Sequence, residues 1–298
     1  MKYVITGSIG HTGKPITEGL VKAGHDVTVI TSKADNKAAI EALGATAAVG
    51  TVEDGAFVRD AFAGADAVYL MIPPKWDVTN WRAYQNQVAD NYIDAIRTND
   101  VRYVVLLSSV GAHMGNGAGP VDGLHDMEAK LKTVEGLSVK VLRPAYFYYN
   151  LFAMIGMVKG MGMMGSNFGG SADEKIVLVH TNDIAAVALD ELARLDFTGF
   201  TVRYIASDER TGHEIAQTLG KAIGKPDLAW VEFTDEQQKG GMLQAGLNEE
   251  VAQQYTELGA SMRTGKMNAD YWQNRPAELG STKLDAFAQN EFAPAFNG

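Results

Sequence analysis

Gly7-Ser8-Ile9-Gly10-His11-Thr12-Gly13 directly follows the run Lys2-Tyr3-Val4-Ile5-Thr6 and opens into the helical pattern Lys14–Ala23. The first run is apolar and β-branched, so the order is strand, glycine loop, helix. In that context each glycine has a physical use. Gly7 permits a tight turn, and Gly10 has no Cβ to keep a diphosphate from the backbone. Gly13 lets the helix pack closely on the strand. The mouth of the helix adds free N–H groups and a partial positive charge. Gly7, Ile9, Gly10, His11, Thr12 and Gly13 are therefore candidate contacts to the phosphates of a dinucleotide.

Working outward, the same alternation continues. Asp26–Thr31, Thr46–Val49, Ala67–Ile72, Tyr103–Leu107 and Ser138–Leu142 read as strands. Asn36–Leu43, Glu53–Phe62, Asn80–Thr98 and Asp126–Thr133 read as helices between them. Continuous apolar strands separated by helices indicate a parallel sheet covered on both faces. The right-handed crossover rule then makes this an α/β fold with a doubly wound parallel Rossmann sheet. Residues 1–150 are read as the nucleotide-binding domain. Residues 151–298 are read as a smaller, mostly helical substrate lobe, with Thr181–Leu195 and Thr211–Ile223 as its clearest helices and 201–205 as a strand returning to the sheet.

In such a sheet, ligands lie at the carboxyl ends of the strands. That predicts contacts from Thr51 after the third strand and Ile72-Pro73-Pro74 after the fourth. It also predicts Ser108-Ser109-Val110 after the fifth and Pro144-Ala145 after the sixth. The second strand ends in Thr31-Ser32-Lys33, where an NAD site usually carries an acid for the ribose hydroxyls. Two hydroxyls and an ammonium suit a 2′-phosphate, which favours NADP(H) over NAD(H), although Asp35 stands close by.

Bulk composition narrows the function classes. The 298 residues carry a net charge of −10, and no window is densely basic, which argues against a nucleic-acid partner. There is no cysteine, so disulfides, thiolate nucleophiles and Cys-bound zinc are excluded. The six histidines show no metal-binding spacing, so no metal is expected. No apolar run is long enough to span a membrane, and Met1–Thr6 reads as a strand, not a leader, which points to the cytoplasm. No oligomer interface is legible in the pattern.

Further stretches now combine with the glycine loop. They are Leu107-Ser108-Ser109-Val110-Gly111-Ala112, Glu128, and Leu142-Arg143-Pro144 with its following aromatic and Asn150. Thr181-Asn182-Asp183-Ile184-Ala185 and Arg275-Pro276, with Phe287 in a final helix, complete the set. Together they resemble the NmrA-like family of atypical short-chain dehydrogenases, over most of the chain and most firmly up to Leu195. The resemblance implies a Rossmann fold, usually with NADP(H), and two functional kinds. One is small-molecule reductases, such as quinone and ergot-alkaloid reductases. The other is redox-sensing regulators that bind the dinucleotide without turnover. Ordinary short-chain dehydrogenases use a Tyr-x-x-x-Lys acid. Aligned on Glu128, this chain carries Pro120 and Leu124 at those two places, with Lys130 further along the helix. Ser108 or Ser109 matches the usual catalytic serine.

Without that acid, hydride transfer suits acceptors that spread the incoming charge, such as quinones or other conjugated carbonyls. Tyr146-Phe147-Tyr148-Tyr149, Asn150, Met154 and Met164 suggest a wall for an apolar, planar small molecule. Candidate proton donors are Tyr146 or Tyr148, His125 beside the Gly115–Gly123 loop, and Ser109. The competing reading is a sensor that binds NADP(H) and docks a protein partner. A third is a lyase or isomerase with a bound, unconsumed nucleotide.

Overall fold

The computed structural model describes residues 1–170 and 174–298. Its centre is a seven-stranded sheet of β1 (Lys2–Ile5), β2 (Asp26–Thr31), β3 (Thr46–Val49), β4 (Ala67–Leu70), β5 (Tyr103–Leu107), β6 (Ser138–Pro144) and β10 (Phe200–Ile205). The strand order is β10-β6-β5-β4-β1-β2-β3, and every pairing is parallel. Chain order reverses between β1 and β4, so the crevice above these two strands is the topological switch point.

Alternation along each strand explains why both faces need cover. Tyr3 and Ile5 of β1 join one apolar core, and Val4 between them joins a second. Both cores are made of buried apolar side chains, as the near-continuous apolar strands require. Helices α3 (Gly55–Ala61), α4 (Trp81–Thr98) and α5 (Asp122–Leu131) pack on the Val4 face. α1 (Gly13–Lys22) packs with α7 (Thr181–Arg194) on the other, while α2 (Asn36–Ala42) follows β2 at the sheet edge. The core on the α1 side runs on into the second half of the chain, taking in Tyr148, Leu178, Leu219 and Phe287.

The second half contains more strand than its sequence pattern suggested. β7 (Tyr146–Phe147), β9 (Ile176–Val179) and β11 (Asp208–Arg210) form a three-stranded sheet. β8 (Met163–Ser166), inside the stretch 160–170 that reads from sequence as a Gly/Met loop, pairs with β12 (Ala229–Glu232). β7, β8, β9 and β11 are two to four residues long, too short for a period to declare itself, whereas a short strand near Ala229–Phe233 is legible in the sequence. The remaining helices include α6 (Ile155–Met161), α8 (Gly212–Ala222), α9 (Asp235–Gln244) and α10 (Glu249–Arg263). α8 and α9 start with capping boxes at Thr211/Glu214 and Thr234/Gln237. No helix among the described residues is long and apolar enough to cross a membrane.

Two polar clusters position the site. Asp183 accepts from Ser207 Oγ at 2.6 Å, from the Thr282 amide at 3.1 Å and from Ser281 Oγ at 3.3 Å. It thereby ties the C-terminal segment to the end of the sheet. Arg82 grips Asp126 with two parallel bonds of 2.7 Å and reaches Asn116 at 2.6 Å. That fork locks α4 to α5 and to the glycine-rich loop before it. α5 begins four residues earlier than its apolar pattern suggests, because Asp122 accepts from the Gly117 and Ala118 amides, both at 3.0 Å, and closes the loop.

Candidate functional site

The glycine loop has a specific shape. Gly7 (φ +85°) and Ser8 (φ +61°) both lie in the left-handed region. That conformation costs a serine about 1 kcal/mol or more, so its surroundings must over-determine it. They do: the Ser8 amide donates to Ile30 O at 3.0 Å, and its hydroxyl donates to Thr31 Oγ1 at 3.0 Å. Asn36 Nδ2 donates to both oxygens, at 3.0 and 3.2 Å. The turn leaves a row of amides without protein partners. Among the described residues, those of Ile9, Gly10, His11 and Thr12 donate to no protein acceptor.

The three glycines divide by what a side chain would meet. A Cβ on Gly7 would press on Met71 at 2.6 Å, and one on Gly13 would collide with the Ser8 carbonyl. Gly13 thus closes the loop on itself, where the sequence suggested helix-on-strand packing. A Cβ on Gly10 would meet nothing nearer than 3.7 Å, and Gly10 has no positive φ. The fold does not need glycine there. The open space over Gly10 and the unpartnered amides around it fit a diphosphate group.

Two cavities adjoin over the strand ends. The first, about 390 Å³, lies above β1, β2 and β3 and is lined by Gly7, Ser8, Thr31, Ser32, Thr51, Pro73 and Pro74, among others. Lys33 is exposed just beyond Ser32. The acid in this lining is Glu53, which follows β3 and is held by Lys75 at 2.7 Å. The second cavity, about 250 Å³, lies above β4, β5 and β6 and shares Met71 and Pro74 with the first. Side by side they make one trough across the switch point.

The second cavity brings together Ile72, Ser108, Ser109, Val110, Ala145, Tyr146, Phe147 and Asn150. Its lining contains no lysine, histidine or carboxylate. Pro120 and Leu124 both line it, presenting apolar surface. Burial raises the Tyr146 phenol above its ordinary range and pushes Tyr255 up to about 12, so both hydroxyls stay protonated at neutral pH.

Other residues singled out from sequence lie elsewhere. Tyr148 is buried behind the wall, its hydroxyl donating to Asp208 at 3.3 Å. His125 Nδ1 is 2.7 Å from Ala112 O, so the ring turns back on its own loop and does not line the cavity. Met154 and Met164 are buried in the core; the methionines of the cavity are Met71 and Met267. Pro144 sits behind the wall, its carbonyl accepting from the Val110 amide at 3.0 Å. Tyr149 is exposed and its ring centroid lies 4.4 Å from that of His11, beside the glycine loop and not in the second cavity. Lys130 is 2.5 Å from Asp90, away from the cavity.

Ser108 touches the cavity but is anchored from behind. Its hydroxyl donates to Glu128 Oε1 at 2.6 Å, and Arg143 donates to both Glu128 oxygens at 3.1 and 2.6 Å. Arg143 continues to Tyr204 at 2.8 Å and to Asp270 at 3.0 Å. Glu128 and Arg143 are therefore a buried ion pair that holds β5, α5 and β6 in register beneath the cavity floor.

Sequence reasoning missed Tyr255, Leu258 and Met267, which close the second cavity from the far end of the chain. Tyr255 and Leu258 stand at i, i+3 on α10, a spacing that announces a shared face but not what it covers. Gln85 was missed as well; its Nε2 donates to Pro120 O at 2.9 Å.

Comparison with known proteins follows the same lines. Residues 7–193 match the NAD(P)H-binding family. An NAD(P)H azoreductase of Xenophilus azovorans is 23% identical over 257 residues, covering 86% of each chain. An NADPH-dependent quinone oxidoreductase of Escherichia coli, solved with NADPH, superposes with a TM-score of 0.81 at 20% identity over 97% of this chain and 99% of its own. A triphenylmethane reductase of Citrobacter sp., solved with NADP(H), gives 0.79 at 19% identity over 96% and 99%. At these identities the two structures establish a shared fold.

Proposed function

We propose that this chain, which belongs to the NAD(P)H-binding family, is an NADPH-dependent oxidoreductase of the NmrA-like atypical short-chain dehydrogenase kind, acting on a quinone or another conjugated carbonyl small molecule. The observation that carries this reading is the lining of the second cavity, which is apolar and has only serine, amide and tyrosine groups to offer. Bound reduced dinucleotide would supply a hydride there. In this reading the unpartnered amides from Ile9 to Thr12 hold the diphosphate, and Ser8, Thr31, Ser32 and Lys33 hold the 2′-phosphate end. Met71, Leu107, Val110 and Leu258 keep water from the reacting ring.

An apolar wall with no lysine or histidine offers no acid tuned near neutral pH, and general acid catalysis is typically worth about 10²–10⁴-fold. A quinone loses least by that absence. Its ring spreads the incoming charge, Tyr146 can donate a hydrogen bond to the carbonyl oxygen, and solvent supplies the final proton. The relatives' names point the same way, since a quinone oxidoreductase, an azoreductase and a triphenylmethane reductase all reduce conjugated acceptors.

The test is NADPH oxidation against a panel of quinones, enones and unactivated ketones. Quinones should turn over fastest and simple ketones negligibly. NADPH binding with no turnover on any acceptor would discard the enzyme in favour of a nucleotide-sensing regulator. Lys33→Asp should shift preference towards NADH by about tenfold or more through the lost charge-assisted contact. An unchanged ratio would remove Lys33 from the 2′-phosphate site.

A further inference from the structure

Tyr255 does more than close the second cavity. Its ring lies under Trp76, with centroids 5.6 Å apart and planes 25° from parallel. Trp81 backs both edge-on, at 5.7 Å from Trp76 and 6.2 Å from Tyr255. Trp81 is buried, whereas Trp76 is 53% exposed. A single exposed aromatic is ordinary. This one sits on a ring that lines the cavity, so the apolar wall continues outward as a shelf.

The shelf is also held in place. Trp76 lies on the Pro73–Asn80 segment, whose Pro74 lines both cavities. Asn248 Nδ2 donates to the carbonyls of Trp76 and Val78, both at 3.1 Å. The Trp81 amide donates to Glu250 Oε1 at 2.7 Å. The segment is thus fixed to the start of α10, the helix that carries Tyr255. A rigid, half-open indole face costs little entropy to use, as aromatic anchors do at binding surfaces.

Size supplies the other half of the case. The second cavity is about 250 Å³, smaller than the ~300–1,000 Å³ of sites that enclose a drug-sized ligand. Whatever reacts there shares that volume with a nicotinamide ring. A substrate of more than one ring must therefore reach beyond the cavity, and Tyr255 is the lining residue on which an exposed aromatic ring is stacked.

We propose that Trp76, stacked on Tyr255 and backed by Trp81, is an outer subsite for a second aromatic ring of the substrate. The preferred acceptor is then a conjugated carbonyl bearing an aryl substituent, one ring in the cavity and the other on the indole face. The subsite rests on the reductase reading for its substrate, and Trp76 acts on specificity alone.

The test compares phenyl-1,4-benzoquinone with methyl-1,4-benzoquinone under NADPH. In the unaltered protein the ratio of kcat/KM values should favour the phenyl compound. Trp76→Ala should lower that ratio about three- to tenfold, the scale of one aromatic pair. Trp76→Phe should keep most of it, which guards against a general loss of fold. A ratio unmoved by Trp76→Ala overturns the subsite. Should neither quinone turn over, calorimetry with 4-phenylphenol on the NADP⁺-loaded protein still reads the shelf. Binding weakened by Trp76→Ala supports it while the reductase reading fails; binding indifferent to Trp76→Ala, or absent, overturns it.

Discussion

The two halves of the trough are built differently. The half over β1, β2 and β3 is made by backbone, from a strained turn, a row of amides without protein acceptors and a glycine whose side-chain space is empty. The half over β4, β5 and β6 is made by side chains, set on a buried ion pair and closed by residues more than a hundred positions away. Backbone sites recognise what a whole cofactor class shares, such as a diphosphate. Side-chain sites are free to change with the substrate. The contrast predicts that substitutions in the two halves will separate into losses of binding and losses of stability.

The largest effect should come from the side-chain half. Glu128→Ala leaves the largely buried Arg143 guanidinium without its main partner. Breaking a buried pair in that way costs about 3–5 kcal/mol, readable by urea denaturation. A loss below about 1 kcal/mol would mean the floor of the cavity does not depend on this pair. The backbone half should behave in the opposite way. Gly10→Ala should leave stability within about 0.5 kcal/mol, because a Cβ there touches nothing closer than 3.7 Å. NADPH affinity should nevertheless fall about ten- to a hundredfold, as the added methyl holds the diphosphate off the amides. Equal losses of stability and affinity at Gly10 would erase the distinction.

The same contrast explains what was legible in the sequence. The seven-stranded sheet and the glycine loop rest on local signals: β-branched runs, helix stops at glycine, and a motif confined to seven residues. The strand ends then placed Ser108, Ser109, Ile72 and Ala145 at one crevice by topology alone. The wall opposite them could not be read this way. Four successive aromatics pointed to a cavity lining, yet they part company: Tyr146 and Phe147 line the cavity, Tyr148 is in the core and Tyr149 lies towards the loop. Of the methionines that follow, Met154 and Met164 are buried in the core and Met161 is exposed, while Met71 and Met267 reach the site from elsewhere. Tyr255 gives no local sign of its role, because its partner, the Pro73–Asn80 segment, is fixed only by tertiary contact.

The smallest effect concerns the fork that sets the loop beneath the second cavity. Arg82 and Asn86 hold the Asp126 carboxyl down to about 2, below its ordinary range, the hydrogen bonds from Arg82 being the main cause. A carboxylate whose folded pKa is depressed stabilises the fold fully above its unfolded value of about 3.9. That contribution fades as pH falls towards 2. Partial exposure of both partners keeps it to about 1 kcal/mol or less. Asp126→Asn should therefore lower stability slightly at pH 7 and make little difference near pH 2. A difference between variant and parent that does not change with pH would show that the fork contributes packing and not charge.

The central claim is that a dinucleotide lies across the switch point, with its diphosphate on the amides of Ile9 to Thr12. Calorimetric titration of the unaltered chain with NADPH and with NADH tests it most directly. One NADPH should bind per chain with micromolar affinity, more tightly than NADH. No heat from either nucleotide at millimolar concentration would contradict the claim.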